Sequence, residues 1–320
     1  MIDKKNLEGG GKVIQTLELF GGIGAPRAAL NRLGIPIKAI DYVEIDEKAV
    51  RSYNAMFDLK YKTQNVVGWN LRPDILVHGS PCQDISIAGY QKGADDNSDT
   101  RSSLMWETIK IVKSFGEWKP KIIIWENVKN VRSRLMVHNH ERYMQELKTL
   151  GYTSSFACLN ALDFGLPQKR ERVFTVSVLS DKKFSFNNLQ KSKAAPLDSY
   201  LTNDFKPWHV VTQQSVLHGI GNKQSIKRTN VLDNYCYTIT TRQDRCPAQV
   251  VKIDTNKYRY LTERECWRLM GFNDAEFYAA QKANPRENGR NNTLYKQAGN
   301  SMPVNVLVAI FKEIFEGGYL

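Results

Sequence analysis

"VIQTLELFGGIGAPRAALNRLG", residues 13–34, passes from a β-rich apolar run through three glycines into apolar residues at helical spacing. A strand that turns through Gly21, Gly22 and Gly24 into a helix lets backbone approach a ligand closely at the helix N-terminus. The same turn can also serve tight packing alone. The later segments of the chain decide between the two.

The strand–helix unit repeats. "IKAIDYVEI" (37–45), "DILVHGS" (74–80) and "KIIIWENV" (121–128) read as further buried parallel strands, apolar almost throughout. "DEKAVRSYNAMF" (46–57), "SSLMWETIKIVKSF" (102–115) and "HERYMQELKTLG" (140–151) carry apolar residues at helical spacing, and "SSFACLNAL" with "RVFTVSV" forms a closing pair of strands. This alternation predicts an α/β, doubly wound sheet over 1–178. Beyond Val178 the chain turns polar and lysine-rich, which predicts a smaller second lobe over 179–257. Order returns in 258–320, expected to complete the first domain. There Thr262 and Glu265 have capping-box spacing in "LTERECWRLMGF" (261–272), and "PVNVLVAIFKEIFE" (303–316) opens a last helix with proline. "KANPRENGRNN" (282–292) reads as a polar loop.

With 320 residues the chain can bury a large core, so a disulfide-dependent miniature scaffold is not expected. Cys82, Cys158, Cys236, Cys246 and Cys266 lie far apart with no CxxC pair, which argues against a zinc ribbon and a disulfide framework. No metal is expected. No apolar run reaches membrane-spanning length, so a soluble, cytoplasmic protein is expected. Net charge is +12, and residues 176–257 hold 12 Lys or Arg against 6 Asp or Glu. A balance that positive favours a polyanionic partner, with nucleic acid first.

Two acids and a thiol carry the chemistry. Glu44 ends the second strand 20 residues after Gly24, where it can accept hydrogen bonds from a ribose diol. NAD and S-adenosylmethionine both present one, although Arg27 stands where the dinucleotide fingerprint needs its third glycine. Cys82, in "GSPCQDIS" (79–86), follows the third strand read here, and Glu126 ends the fourth. Ligands in such sheets bind beyond the carboxyl ends of the strands, so the two should face one crevice. Carbon 5 of a pyrimidine becomes nucleophilic once a thiolate adds to carbon 6, and a carboxyl group at ring nitrogen 3 offsets the charge that develops. "QKRER" (168–172) sets Arg170 and Arg172 on alternate residues, so both point to one face if the run is extended. One of them could reach the pyrimidine oxygen.

These stretches resemble the DNA (cytosine-5) methyltransferase family, of bacterial or phage type. "FGGIG" (20–24) is similar to the family's cofactor loop, "GSPCQDIS" to its nucleophile loop, "ENV" (126–128) to its carboxylate motif and "QKRER" to its QxRxR. "RYLTERECWRLMGF" (259–272) and "YKQAGNSMPVNV" (295–306) resemble its closing segments, and the matches run in family order.

The resemblance implies a class I S-adenosylmethionine-dependent methyltransferase fold and methyl transfer to a cytosine flipped out of double-stranded DNA. It makes Cys82 the nucleophile, places Glu126 at nitrogen 3 and Arg172 at the base oxygen, and leaves Arg170 to support the pocket or a phosphate. Phe20 and Glu44 would hold adenine and ribose, Gly22 and Gly24 would admit the methionine moiety, and Pro81, Leu104 and Asn300 would complete the cofactor pocket. Asn65, followed by Val66, stands where the family usually has an acid that reads adenine, and Ile45 where some members have an aromatic residue. Residues 83–101 would be a loop closing over DNA, with Ser86 and Arg101 as contacts. Residues 179–257 become the target-recognition domain. Within it, Thr238-Ile239 matches the family's Thr-Leu signature, Gln224 is a candidate to fill the space left by the flipped base, and Arg242, Gln243 and Arg245 are offered to phosphates or guanine edges. A monomer is expected, with a separate cognate restriction endonuclease as a possible partner. The alternatives are a tRNA cytosine-5 methyltransferase and a catalytically silent DNA-binding homologue.

Overall fold

The computed structural model describes residues 13–67, 73–80, 101–222, 227–286 and 288–320. Pro81, Cys82, Ser86, Gln224 and most of the expected closing loop lie outside the described residues, and Arg101 enters only as the first residue of a 3-10 turn, Arg101–Leu104.

Six strands form the central sheet. They are β1 (Ile14–Leu19), β2 (Ile37–Val43), β3 (Ile75–His78), β4 (Ile122–Val128), β5 (Thr153–Asn160) and, after the two-residue β6 (Gln168–Lys169), β7 (Glu171–Val178). Their order is β2-β1-β3-β4-β7-β5. β1 to β4 are parallel, and β7 runs antiparallel to both β4 and β5.

Alternation along the central strands assigns each side chain to a layer. Ile75, Val77, Ile122 and Ile124 pack with α1 (Ala25–Leu33) and with C-terminal helices, whereas Leu76, Ile123 and Trp125 pack with α3 (Met105–Ser114) and α4 (Val137–Thr149). Both faces are therefore dry, which explains why these strands read as unbroken apolar runs. α2 (Glu47–Phe57) starts at Asp46, whose carboxylate accepts from the amides of Lys48 and Ala49. Tyr53 from this helix stacks on Tyr42 with ring centroids 3.8 Å apart.

The C-terminal segment returns to the first layer. After the short α5 (Gln214–Leu217) come α6 (Glu263–Leu269), α7 (Asp274–Ala283), α8 (Asn292–Asn300) and α9 (Val304–Glu316), and α9 lies against α1. Thr262 and Glu265 form the expected capping box on α6. The sequence reading assigned no helix to the segments that form α7 and α8, although α8 buries Leu294, Tyr295 and Ala298 on one face. α7 has only Phe277 and Ala280 fully buried, and it is held by a second capping box, Asn273 with Glu276, and by packing on α2.

A small separate cluster of Val211, Val216, Ala248, Val250 and Tyr260 supports a three-stranded sheet of β8 (Thr229–Val231), β10 (Ala248–Asp254) and β11 (Lys257–Arg259). Phe184, Leu189 and Leu197 instead join the main core, so that core extends past Val178. The two-residue β9 (Cys236–Tyr237) leaves the small cluster to pair in parallel with β6.

Candidate active site

The glycine turn after β1 places Phe20, Gly22 and Gly24 at φ of 52°, 54° and 77°. A bulky residue in the left-handed region marks a strained turn, and such turns concentrate at ligand sites. A Cβ on Gly22 would meet nothing within 4 Å, so this residue faces open space. Gly24 differs from expectation. A Cβ there would lie 2.5 Å from the Tyr53 ring, so its missing side chain admits the packing of α2 rather than a ligand.

Glu44, just past β2, ties this turn to the next helix. Its Oε2 accepts from the Gly22 amide at 2.9 Å, and its Oε1 accepts from the amides of Ile45 and Asp46 at 2.8 and 2.9 Å. Ile45 beside it is 73% exposed, an apolar surface left uncovered. The amide of Gln64 donates to the Glu44 carbonyl, which brings the 64–66 segment alongside. There Asn65 is exposed and accepts from the Val67 amide, whereas Val66 is buried. Leu104 is half-buried at the start of α3, and Asn300 is exposed at the end of α8.

Glu126 occupies the carboxyl-terminal half of β4. Its Oε1 lies 3.2 Å from Arg172 Nε, and both side chains are largely buried. Burial pushes the Glu126 carboxyl above the ordinary carboxylate range, and the guanidinium groups of Arg172 and Arg170 pull it back only partly. A Cβ on Gly79 would stand 2.8 Å from Met302 Cε and 3.9 Å from Glu126 Oε2. Gly79, at the end of the described segment that leads toward Cys82, therefore lies against this carboxyl. Ser80 is pinned there, its Oγ accepting from Trp125 Nε1 at 3.0 Å and from Asn127 Nδ2 at 3.4 Å.

Arg170 is 2% exposed, so the phosphate contact considered for it is excluded. Its guanidinium donates to the carbonyls of Ile239, Gly299 and Ser301 at 3.1, 3.1 and 2.8 Å. Gln168, which the sequence reading passed over, completes this support. Its Oε1 accepts from the Ile239 amide and its Nε2 donates to the Leu269 carbonyl. The signal for Gln168 lay in its motif, but its partners are 71 and 101 residues away in the chain and leave no local pattern.

In the second lobe Thr238 donates its hydroxyl to the Lys169 carbonyl at 3.1 Å. Arg242 is exposed but bidentate to Asp244, and Arg245 is exposed. Gln243 does not present its amide outward. It is 4% exposed and donates to the Thr240 carbonyl at 3.0 Å, holding the loop rather than reading a base edge.

A sheet of this order, with a glycine turn after β1 and a carboxylate closing β2, is the fold of a class I S-adenosylmethionine-dependent methyltransferase. The family model for C-5 cytosine-specific DNA methylase matches residues 14–316. The chain belongs to that family, the DNA (cytosine-5) methyltransferases, whose methyl donor is S-adenosylmethionine. It is 30% identical over 378 residues to type II methyltransferase M2.ScrFI of Lactococcus lactis subsp. cremoris, covering 95% of this chain and 99% of that one. It is 31% identical over 319 residues to type II methyltransferase M.HhaI of Haemophilus parahaemolyticus, covering 92% of each. The fold is shared with the crystal structure of the S. pombe Dnmt2 methyltransferase, with a TM-score of 0.76 at 18% identity over 96% of this chain and 99% of that one.

Proposed function

We propose that the protein methylates carbon 5 of one cytosine within a specific double-stranded DNA sequence, through a covalent bond from Cys82 to carbon 6. The buried Glu126–Arg172 pair, set beside the chain that leads into Cys82, carries this reading. A carboxyl raised by burial takes up a proton more readily than an exposed one, which suits donation to nitrogen 3 as charge builds on the ring.

In the proposed sequence the Cys82 thiolate forms a bond to carbon 6, and the electrons of the 5,6 double bond make carbon 5 nucleophilic. Glu126 donates at nitrogen 3 and Arg172 holds the base's carbonyl oxygen, while Arg170 supports the pocket from behind. S-Adenosylmethionine, when bound, supplies a methyl group on sulfonium. Carbon 5 then loses its proton to a base, the 5,6 double bond re-forms, and the thiolate leaves. The cofactor's adenosine is assigned to Phe20, Glu44, Ile45, Asn65 and Val66. Its methionine end is assigned to the open face of Gly22, with Pro81, Leu104 and Asn300 closing the pocket.

Target recognition falls to the lobe within 179–257 that is built on Val211, Val216, Ala248 and Val250, with 1–178 and 258–320 as the catalytic unit. Gln224, Thr238, Arg242 and Arg245 are the lobe's proposed DNA contacts, and Ser86 and Arg101 those of the catalytic unit. The protein acts as a monomer, as part of a restriction-modification pair with a separate endonuclease or in phage-type protection.

The test is bisulfite sequencing of a plasmid and a mixed tRNA pool after incubation with protein and S-adenosylmethionine. Protected cytosines in one short DNA context are expected, and Cys82→Ala should abolish them while still binding duplex. Protection confined to tRNA, or retained by the variant, would overturn the proposal.

A further inference from the structure

Tyr237 directly precedes the Thr238-Ile239 pair and is 41% exposed, yet its backbone is held by a buried side chain. Gln249 is buried and reads its backbone as a neighbouring strand would. Gln249 Oε1 accepts from the Tyr237 amide at 2.8 Å, and Nε2 donates to the Tyr237 carbonyl at 3.2 Å. Two residues on, the Ile239 amide and carbonyl are held from the other side by Gln168 and Arg170. The Thr238 hydroxyl between them donates to Lys169. Residues 237–239 are thus fastened to both the recognition lobe and the catalytic unit.

That fastening fixes where the ring stands. Lys169 and Tyr237 are paired in the β6–β9 ladder, and Lys169 lies three residues before Arg172. Adjacent strands are about 4.8 Å apart, so Tyr237 rises one strand spacing from the segment that leads to the base pocket. Gln168 and Cys236 point inward and are buried, whereas Lys169 and Tyr237 emerge on the exposed face. Tyr235 meets Tyr237 edge-on, with ring centroids 5.6 Å apart, and Arg228 lies within electrostatic reach. A rigid, half-exposed aromatic pair with cations on its rim offers a π-face to a base and positive charge to its phosphate.

Resting on the duplex-DNA reading above, we propose that Tyr237, braced by Tyr235, is a specificity-determining contact that packs on the nucleotide flanking the target cytosine. An aromatic residue left exposed for solubility alone would not need three buried side chains to hold its strand.

The test uses the full chain with S-adenosylmethionine and a duplex carrying the mapped site, together with duplexes changed singly at each flanking base pair. Wild type, Tyr237→Ala and Tyr237→Leu are compared by kcat and KM, with thermal unfolding measured for each. For both variants, KM for the cognate duplex should rise about tenfold, within the range for loss of one base–aromatic contact. Discrimination should fall about tenfold at one flanking pair. Leu is of similar bulk but cannot stack, so it keeps the test open if Ala unfolds. Unchanged discrimination in a folded variant, or an equal loss at every flanking pair, would overturn the assignment. An inactive wild type would instead bring down the methyltransferase reading on which it stands.

Discussion

A carboxyl group that must give a proton to a ring nitrogen needs an environment that resists ionisation without abandoning the charge once it forms. Glu126 has both conditions. Burial raises it, and Arg172 at 3.2 Å stabilises the anion left behind. Replacing it with Gln keeps a hydrogen-bond donor but removes the transferable proton, so kcat/KM should fall by roughly 10²–10⁴. Arg172→Gln removes a cation that lowers Glu126, so the protonated form should persist to higher pH. The alkaline limb of the residual activity should then move upward, measured as initial methyl-transfer rates from about pH 6 to pH 9. A limb that stayed in place would show that Glu126 is not the group titrating there. At this scale the sequence was legible wherever a residue sits in a strand end whose direction fixes it, as Glu44 and Glu126 do. It was not legible for Gly24, which Tyr53 reaches through tertiary packing, or for Gln243, whose side chain folds back onto the Thr240 carbonyl of its own loop.

At the scale of elements, the capping box of α6 could be read from two letters, but the larger role of Glu265 could not. Its carboxylate also takes both arms of Arg259 at 2.8 Å each, with exposures of 0% and 3%. This pair joins β11, in the small three-stranded sheet, to the first turn of α6. Glu265→Ala would leave a buried guanidinium without its partner and should cost about 3–5 kcal/mol in denaturant unfolding. The double variant Arg259→Met/Glu265→Met removes both charges and should recover part of that loss. Equal losses in the single and double variants would mean that the capping contact, rather than the ion pair, dominates. The two-residue β9 shows the opposite limit of sequence reading. Its alternation is too short to detect, and its place is set by Gln249, Gln168 and Arg170 side chains instead of by pattern.

The net charge of the whole molecule pointed to a polyanion, yet part of the local excess lies away from the site. Lys182 follows the end of β7 that pairs with Ile122, the opposite end of β4 from Val128, and its ammonium caps the carbonyls of Gly317 and Gly318 after α9. Buried titratable groups set a separate global property, the pH dependence of stability. His78 and His140 are held neutral by burial, their pKa values lowered from 6.5 to about 3 and about 4. The buried Glu18, which accepts from the Tyr53 hydroxyl at 2.8 Å, is raised from 4.5 to about 7. Between about pH 6.5 and 4.5 the unfolded chain holds both histidine protons, whereas the folded chain holds the Glu18 proton. Counting these three groups, the unfolded state carries one more proton, so stability falls by about 1.4 kcal/mol per pH unit on acidification. Below 4.5 the Glu18 difference vanishes and the fall steepens. Above pH 7 the ionised Glu18 costs stability on the order of 3 kcal/mol, because its folded pKa exceeds its unfolded value. Glu18→Gln should therefore be the more stable protein at pH 8, and its advantage should shrink steadily toward pH 4.5. Urea unfolding of both proteins across that range measures the difference directly, and an advantage independent of pH would assign it to packing rather than to the carboxyl proton.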